Sequence, residues 1–347
     1  MDGKRTFHII GGGIAGLYAA KRLREKFPTA YIVLYEAAQK AGGRCGGNYS
    51  RQLQCQTDNA THVILSFNRL AYRQIGKKFF RHKVCFFDYV LQRFKPLFRC
   101  LPEAETAVFN TLNADWRIRF KLYNKLFYLP MMRAYFSQGD LYEKLCAPML
   151  ASVNEIKFGA KWQNIKQHNG HITQLIFNRQ TVDVAPQDII ISAIDSANYQ
   201  KIFTGKDFEY NAIADIFYRT SMSLSLPQNQ QMLGISQAQS QWLFSGENYM
   251  AVTVSNAGAK PDAGKIWQEI CDIRNYNSAF MPTYEVRWYP RATIKQDSCN
   301  NNRRPRSCRT EFDNLLLCGD WTMKNHPCCI ETAMQSAVRV LKNIIAS

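Results

Sequence analysis

The sequence predicts an α/β fold in which a Rossmann-like dinucleotide-binding domain is interleaved with a mixed α+β domain, and three observations lead there. The opening stretch of about thirty residues runs strand, glycine turn, helix, strand, acid. A buried strand ending in Gly-Asp, followed by an apolar helix, closes the chain. Between them, strand signals typical of the first domain return after a long stretch of different character.

Phe7-His8-Ile9-Ile10 reads as a short buried strand and runs into Gly11-Gly12-Gly13-Ile14-Ala15-Gly16, which fits G-x-G-x-x-G. Apolar residues at helical spacing follow (Ile14, Leu17, Ala20, Leu23), and a second strand, Tyr31-Ile32-Val33-Leu34-Tyr35, ends on Glu36. Gly11 permits the tight turn, Gly13 lets the backbone approach a pyrophosphate, and Gly16 lets the helix pack closely on the strand. The phosphates then sit at the positive end of the helix, where Ile14 and Ala15 join the glycines as cofactor-binding residues. Glu36, 20 residues after Gly16, can accept hydrogen bonds from the adenosine ribose. A lone glycine pattern would read as an ordinary turn; the complete unit argues against that.

Ala41-Gly42-Gly43-Arg44 follows the acid. Gly-Gly-Arg in this place resembles the second phosphate-binding turn of FAD-dependent amine oxidases and phytoene desaturases, and an arginine such as Arg44 can fork onto phosphate oxygens. The resemblance favours FAD over NAD.

Later strands are expected at Glu155–Phe158, through Ile165, at Ile172–Phe177 after a His168-Asn169-Gly170 turn, and at Asp188–Ala193. At the end, Asn314–Cys318 reads as a buried strand running into Gly319-Asp320-Trp321-Thr322, then Pro327, Cys328, Cys329 and an apolar helix from Ile330. Asp320 at a strand end can accept hydrogen bonds from a ribityl chain, and the amides opening the last helix can face a flavin's pyrimidine edge. The expected division is 1–66, 151–200 and 296–347 for the FAD-binding domain, with 67–150 and 201–295 forming the substrate domain. Residues 96–149 read as mostly helical, interrupted by prolines.

A chain of 347 residues with 46% hydrophobic content suffices for two cores. No apolar run approaches the ~20 residues that span a bilayer, and too little precedes the first strand for a signal peptide. The expected location is therefore cytoplasmic, with the inner face of the membrane as a peripheral address. Eleven cysteines without a Cys-x-x-Cys read as free thiols, not as a zinc site or a disulfide framework. The net charge of +17 fits an anionic membrane surface or a compositional habit; no nucleic-acid module is present, so nucleic acid is not an expected partner. From Arg69 to Arg99, basic and aromatic residues interleave (Lys77, Lys78, Phe79, Phe80, Arg81, Lys83, Phe86, Phe87, Phe94, Lys95). That pattern suits an interfacial helix, or a core helix with a solvated basic face.

With both ends in view, the chain resembles squalene-associated FAD-dependent desaturases, the hydroxysqualene dehydroxylases, within the amine oxidase and phytoene desaturase superfamily. Asp58-Asn59 with His62 resembles that family's Asp-Asn-Gly-x-His, with Ala60 replacing the glycine. Lys95-Pro96-Leu97, Phe109-Asn110-Thr111-Leu112, Leu129-Pro130, Arg291-Ala292-Thr293, Arg304-Pro305, Thr310, Gly319-Asp320-Trp321-Thr322, Pro327 and Ile330-Glu331 follow in the family's order. The resemblance implies FAD as cofactor, a lipophilic isoprenoid substrate and prenyl-synthase partners. It implies His62, Asp58 and Arg291 as catalytic candidates, and Gly11, Gly13, Ile14, Ala15, Gly16, Glu36, Gly43, Arg44, Gly319, Asp320, Pro327 and Ile330 as cofactor-binding. His62 reads equally as a hydrogen-bonded structural histidine. Family members carry several tens of residues more after the helix that follows His62. An amine oxidase or phytoene-type desaturase is the alternative enzyme, with Lys295 near the place of an amine-oxidase lysine; a non-catalytic membrane scaffold is the alternative of another class.

Overall fold

The computed structural model describes residues 5–76, 82–95, 114–126, 133–220, 226–276 and 280–346, and they fall into two units. The first comprises residues 1–46, 142–208 and 301–347; the second comprises 47–141 and 209–300.

The first unit is built on five parallel strands: β1 (Thr6–Ile10), β2 (Tyr31–Glu36), β3 (Glu155–Phe158), β4 (Ile189–Ser192) and β5 (Leu315–Leu317). Their order is β3-β2-β1-β4-β5, the doubly wound dinucleotide-binding arrangement. Both faces of such a sheet are covered, so its strands carry near-continuous apolar runs, and Phe7, Ile9, Ile32, Leu34, Ile190, Ile191 and Leu315 are all fully buried. The exception, His8, is satisfied by the Tyr35 hydroxyl at 3.0 Å and Asp188 at 3.3 Å. Helix α1 (Ile14–Lys26) packs against α2 (Ile330–Ala346), whose Ala333, Met334, Ala337, Val340, Leu341 and Ile344 form the buried stripe. The other face is covered by the antiparallel strands Trp162–His168, His171–Phe177 and Thr181–Asp183, with Phe177 stacked on Tyr35 at 4.6 Å. The expected turn joins the first two, Asn169 and Gly170 both having positive φ.

The second unit is a mixed seven-stranded sheet in the order Tyr284–Ile294, Tyr210–Arg219, Tyr249–Ser255, Trp242–Ser245, Met232–Ser236, Cys85–Asp88, Arg93–Lys95. Alternation along each strand divides two cores. Ile216, Tyr218, Leu243, Met250 and Val252 pack with the helix Ala263–Arg274; Phe217, Phe244 and Ala251 pack with Leu65, Ala134 and Phe136 on the other side.

Three expectations are corrected here. The basic aromatic stretch does not continue as a helix: Cys85–Asp88 and Arg93–Lys95 are strands, Phe86 and Phe87 enter opposite cores, and Lys95 pairs with buried Asp88 at 2.7 Å. Its Lys77, Lys78, Phe79, Phe80 and Arg81 lie outside the described residues, as do Pro96, Leu97, the 109–112 motif and Leu129-Pro130. The stretch 96–149 includes a strand, Arg133–Phe136, beside the helix Trp116–Leu126. Residues 47–66 belong to the second unit, because Leu53, Cys55 and Leu65 enter its core; residues 142–150 belong to the first, where Leu145 and Met149 are buried. No helix among the described residues is long and apolar enough to cross a membrane.

Candidate functional site

A cleft of about 300 Å³ opens in the first unit at the C-terminal ends of β1, β2 and β4, where the strand order reverses. Open parallel sheets bind ligands at such switch points.

The glycine turn frames it. Gly11 sits at φ +109°, a region that side chains with a Cβ avoid, and its amide donates to the Tyr35 carbonyl at 2.8 Å. The Glu36 carboxylate accepts from the amides of Gly12 and Ala38, each at 2.7 Å, so this acid holds the turn as well as lining the cleft. Gly13 is the N-cap of α1, and a Cβ built on it would meet nothing within 4 Å. At Gly16 a Cβ would lie 2.0 Å from the Gly11 carbonyl oxygen. Packing demands glycine at 16; open cleft space lies before 13.

The second glycine turn is stitched to the first by the Gly42 amide, which donates to the Gly12 carbonyl at 2.7 Å. Arg44 then reaches Asp320 at 2.8 Å, with 64% of the arginine side chain accessible against 9% of the aspartate's. An ion pair this exposed contributes about 1 kcal/mol or less, which leaves the guanidinium available to an anion. Gly319 is anchored by its amide to Ser336 Oγ of α2 at 2.8 Å, and Trp321 by its indole N–H to the Ile194 carbonyl at 3.0 Å.

Of the expected cofactor-binding residues, Gly11, Gly13, Ile14, Ala15, Glu36, Gly43, Arg44, Gly319 and Asp320 line this cleft. Gly16 packs behind it, Pro327 is buried elsewhere, and Ile330 opens α2 without lining it. Sequence reasoning missed Lys161, Trp162, Asp195 and Trp321, which also line it. Asp195 could have been found: it caps the helix Ser196–Ile202 by accepting the Asn198 amide at 3.0 Å, a recognisable N-cap. Lys161 and Trp162 carry no comparable signal.

The catalytic candidates lie in the second unit. Asp58 is 2% exposed; its carboxyl accepts from the amides of Gly139 and Leu141 at 3.3 and 3.4 Å, and burial pushes its pKa up to about 6. Below the next residues lies a second buried acid, Asp215, which accepts from the Thr61 amide at 3.0 Å and the Thr253 hydroxyl at 2.6 Å. Burial raises its pKa too, and the His62 charge opposes that rise. Arg287, unnoticed in the sequence, organises the loop. It donates to the Asp58 carbonyl at 2.6 Å and Thr57 Oγ1 at 2.9 Å, grips Glu285 through Nε and Nη2, and lies 4.8 Å over Phe217. Glu285-x-Arg287 puts both charges on one strand face. Arg287 thus holds the backbone at Asp58, and Asp215 holds it at Thr61 beside His62. Arg291 stands four residues, roughly 13 Å, further along the strand, over the Tyr210 ring at 4.7 Å. Lys295 is a surface residue paired with Glu209 at 2.8 Å.

These features define a protein with a Rossmann-like nucleotide-binding domain, and residues 9–79 match the family described as NAD(P)-binding Rossmann-like domain. Among solved structures, the fold is similar to an oxidoreductase from Methanosarcina mazei (TM-score 0.67, 12% identity, covering 97% of this chain and all of that one). It is also similar to a putative protoporphyrinogen oxidase from Exiguobacterium sp. 255-15 (TM-score 0.59, 12% identity, 99% of each chain). By sequence the chain is 25% identical to the hydroxysqualene dehydroxylase of Rhodopseudomonas palustris, covering 99% of both. It is 24% identical to that of Zymomonas mobilis, covering 95% of this chain and 96% of the relative. The similarity to hydroxysqualene dehydroxylases read from scattered motifs therefore extends along nearly the whole chain.

Proposed function

We propose that this protein is an FAD-dependent oxidoreductase acting on a lipophilic isoprenoid, and that its reaction is the reductive dehydroxylation of hydroxysqualene to squalene. The observation that carries the reading is the near full-length relationship to hydroxysqualene dehydroxylases in a chain whose cleft carries two linked glycine turns. The residues present fit FAD: open space before Gly13, a largely accessible Arg44, and carboxylates at both ends of the cleft.

The chemistry that this cofactor supplies when bound and reduced is hydride transfer to the allylic carbon as the hydroxyl departs as water. The chain's tasks are binding, orientation and proton supply. Amides at the start of α1 and the Arg44 guanidinium hold phosphate; Glu36 and Asp320 accept from sugar and ribityl hydroxyls. Asp58 accepts from the amides of Gly139 and Leu141 and so ties the start of the 58–62 loop to that segment. His62 keeps the role that the resemblance gives it, a candidate proton donor to the departing hydroxyl. The exposed Trp116 and Phe120, four residues apart on one helix with Arg117 and Lys121 beside them, support peripheral contact with an anionic membrane, where such a substrate resides.

The test uses one cuvette: the visible spectrum of the purified protein, anaerobic reduction, then hydroxysqualene. The expected result is an oxidised flavin spectrum that bleaches and returns with stoichiometric squalene. A bound flavin that ignores hydroxysqualene overturns the substrate, and a protein that binds no FAD overturns the cofactor.

A further inference from the structure

Cys328 precedes α2 by two residues, and its sulfur faces a buried arginine. Arg304 is 2% exposed. Its Nη1 donates to the carbonyl oxygens of Met323 and His326 at 3.0 and 2.6 Å, its Nη2 to Cys328 Sγ at 3.1 Å, and its Nε has no acceptor. A guanidinium keeps its proton throughout the range in which proteins fold, so a full positive charge sits inside this unit. Burying such a charge costs several kcal/mol unless an anion and a complete set of acceptors offset it. Here the set of acceptors is incomplete, and among the described residues no carboxylate bonds to Arg304. Its one hydrogen-bond partner able to ionise is Cys328.

Two further features favour negative charge at this sulfur. The Cys329 carbonyl accepts the Ala333 amide, so Cys328 lies just outside the positive end of a 17-residue helix. Arg44, on the cleft, is close enough for its guanidinium to feel the charge on Cys328. The thiol is also part-exposed and within reach of reagents. Other cysteines differ: Cys318 is buried and pushed up to about 11, burial raises Cys55 and Cys308 as well, and Cys329 Sγ is engaged with Thr332 Oγ1 at 3.3 Å.

We propose that Cys328 is a modification site: a thiolate held as the counter-ion of Arg304, nucleophilic near neutral pH, that takes small soft electrophiles, hydroperoxides among them. With hydrogen peroxide the sulfur attacks one peroxide oxygen; the S–O bond forms, the O–O bond breaks and hydroxide leaves. The sulfur is oxidised by two electrons to the sulfenic acid, and the peroxide is reduced.

The test is alkylation of the purified full-length protein by limiting iodoacetamide from pH 5 to 9. It is read by mass spectrometry on the tryptic peptide Asn325–Arg339, whose fragmentation separates Cys328 from Cys329. The exposed Cys299 is the reference thiol. Cys328 is expected to reach half its maximal rate at least one unit below the ordinary thiol value of about 8.5. At pH 6.5 it should outpace Cys299 roughly fivefold, after allowance for the lower nucleophilicity of a low-pKa thiolate. Arg304→Gln should move the midpoint up toward the ordinary value while Arg304→Lys keeps it low, and dimedone should trap Cys328 after peroxide. The proposal is overturned if Cys328 in the unaltered protein stays unlabelled or titrates no lower than Cys299, a result that does not depend on any variant folding. An Arg304→Gln protein with an unmoved midpoint removes Arg304 from the account.

Discussion

Two alanine substitutions three residues apart should separate the fold from the cofactor. At Gly16 the added methyl would sit 2.0 Å from the Gly11 carbonyl oxygen and 3.2 Å from Ile9. That oxygen cannot retreat freely, because the Gly11 amide is bonded to β2 at 2.8 Å. Helix α1 must move off the sheet instead, and overpacking of this kind costs about 1–3 kcal/mol. At roughly 2–4 °C per kcal/mol for a chain of this size, the midpoint of thermal unfolding should fall by several degrees. At Gly13 the methyl meets nothing within 4 Å, so the change reduces to swapping one N-cap for a poorer one, about 1 kcal/mol at most. Its methyl instead occupies the space that a pyrophosphate needs. Losing one hydrogen bond to a charged group costs about 1.5–3 kcal/mol, which is roughly tenfold to a hundredfold in affinity. Circular dichroism melts and FAD fluorescence titrations read the two effects separately. Gly13→Ala should be near wild type in the first and impaired in the second; Gly16→Ala should already be impaired in the first. A Gly13→Ala protein that binds FAD with wild-type affinity would refute the placement of the phosphates before α1.

Asp58 makes a prediction in pH. Its carboxyl goes from an ordinary value of 3.8 up to about 6 on folding, so between those values the folded state holds a proton that the unfolded chain has released. This group therefore adds stability as pH falls, by about 3 kcal/mol well below pH 3.8 and by about 2 kcal/mol between pH 7 and 4.5; urea titrations at pH 7 and 4.5 should show the smaller gain in the wild type and lose it in Asp58→Asn. Parallel behaviour of the two proteins would mean that Asp58 ionises normally. Arg44→Ala removes an exposed pair with Asp320, so the unfolding midpoint should move by no more than a couple of degrees, whereas FAD affinity should drop about tenfold through the lost phosphate contact. Vesicles containing anionic lipid should sediment with the protein, and Trp116→Ala combined with Phe120→Ala should weaken that binding by roughly tenfold or more; unchanged sedimentation would release that face from the membrane.

What was legible in the sequence followed a simple physical division. The parallel sheet has both faces covered, so its strands announce themselves as apolar runs, and each glycine turn marks where the backbone must come close to something. Gly11, Gly13 and Gly16 could therefore be assigned distinct jobs before any coordinates, and the coordinates give each a different surrounding. The basic aromatic stretch misled because period two and period 3.6 share positions over a short run. Phe86 and Phe87 are neighbours that enter opposite cores, which a strand allows and the helical reading did not anticipate. The Arg287 hub was invisible for another reason. Its partners Thr57 and Asp58 are more than 200 residues away, and no local pattern predicts that a strand arginine will reach back across that separation.

The match to the Rhodopseudomonas palustris relative runs over 440 positions against 347 residues here, so on the order of 90 positions are filled in the relative alone. The nucleotide unit here holds five parallel strands, two glycine turns and the helices α1 and α2. The second unit holds a seven-stranded sheet with a core on each face. Connections and coverings can be removed at small cost when every strand still buries both its faces, whereas loss of one strand would expose two apolar neighbours. In cofactor enzymes the cofactor supplies the reaction type and the protein supplies the binding and orientation of the substrate. Under the proposed reaction, this chain and its longer relative should differ in which isoprenoids they bind and how tightly, while the cleft keeps most of the residues read as cofactor-binding.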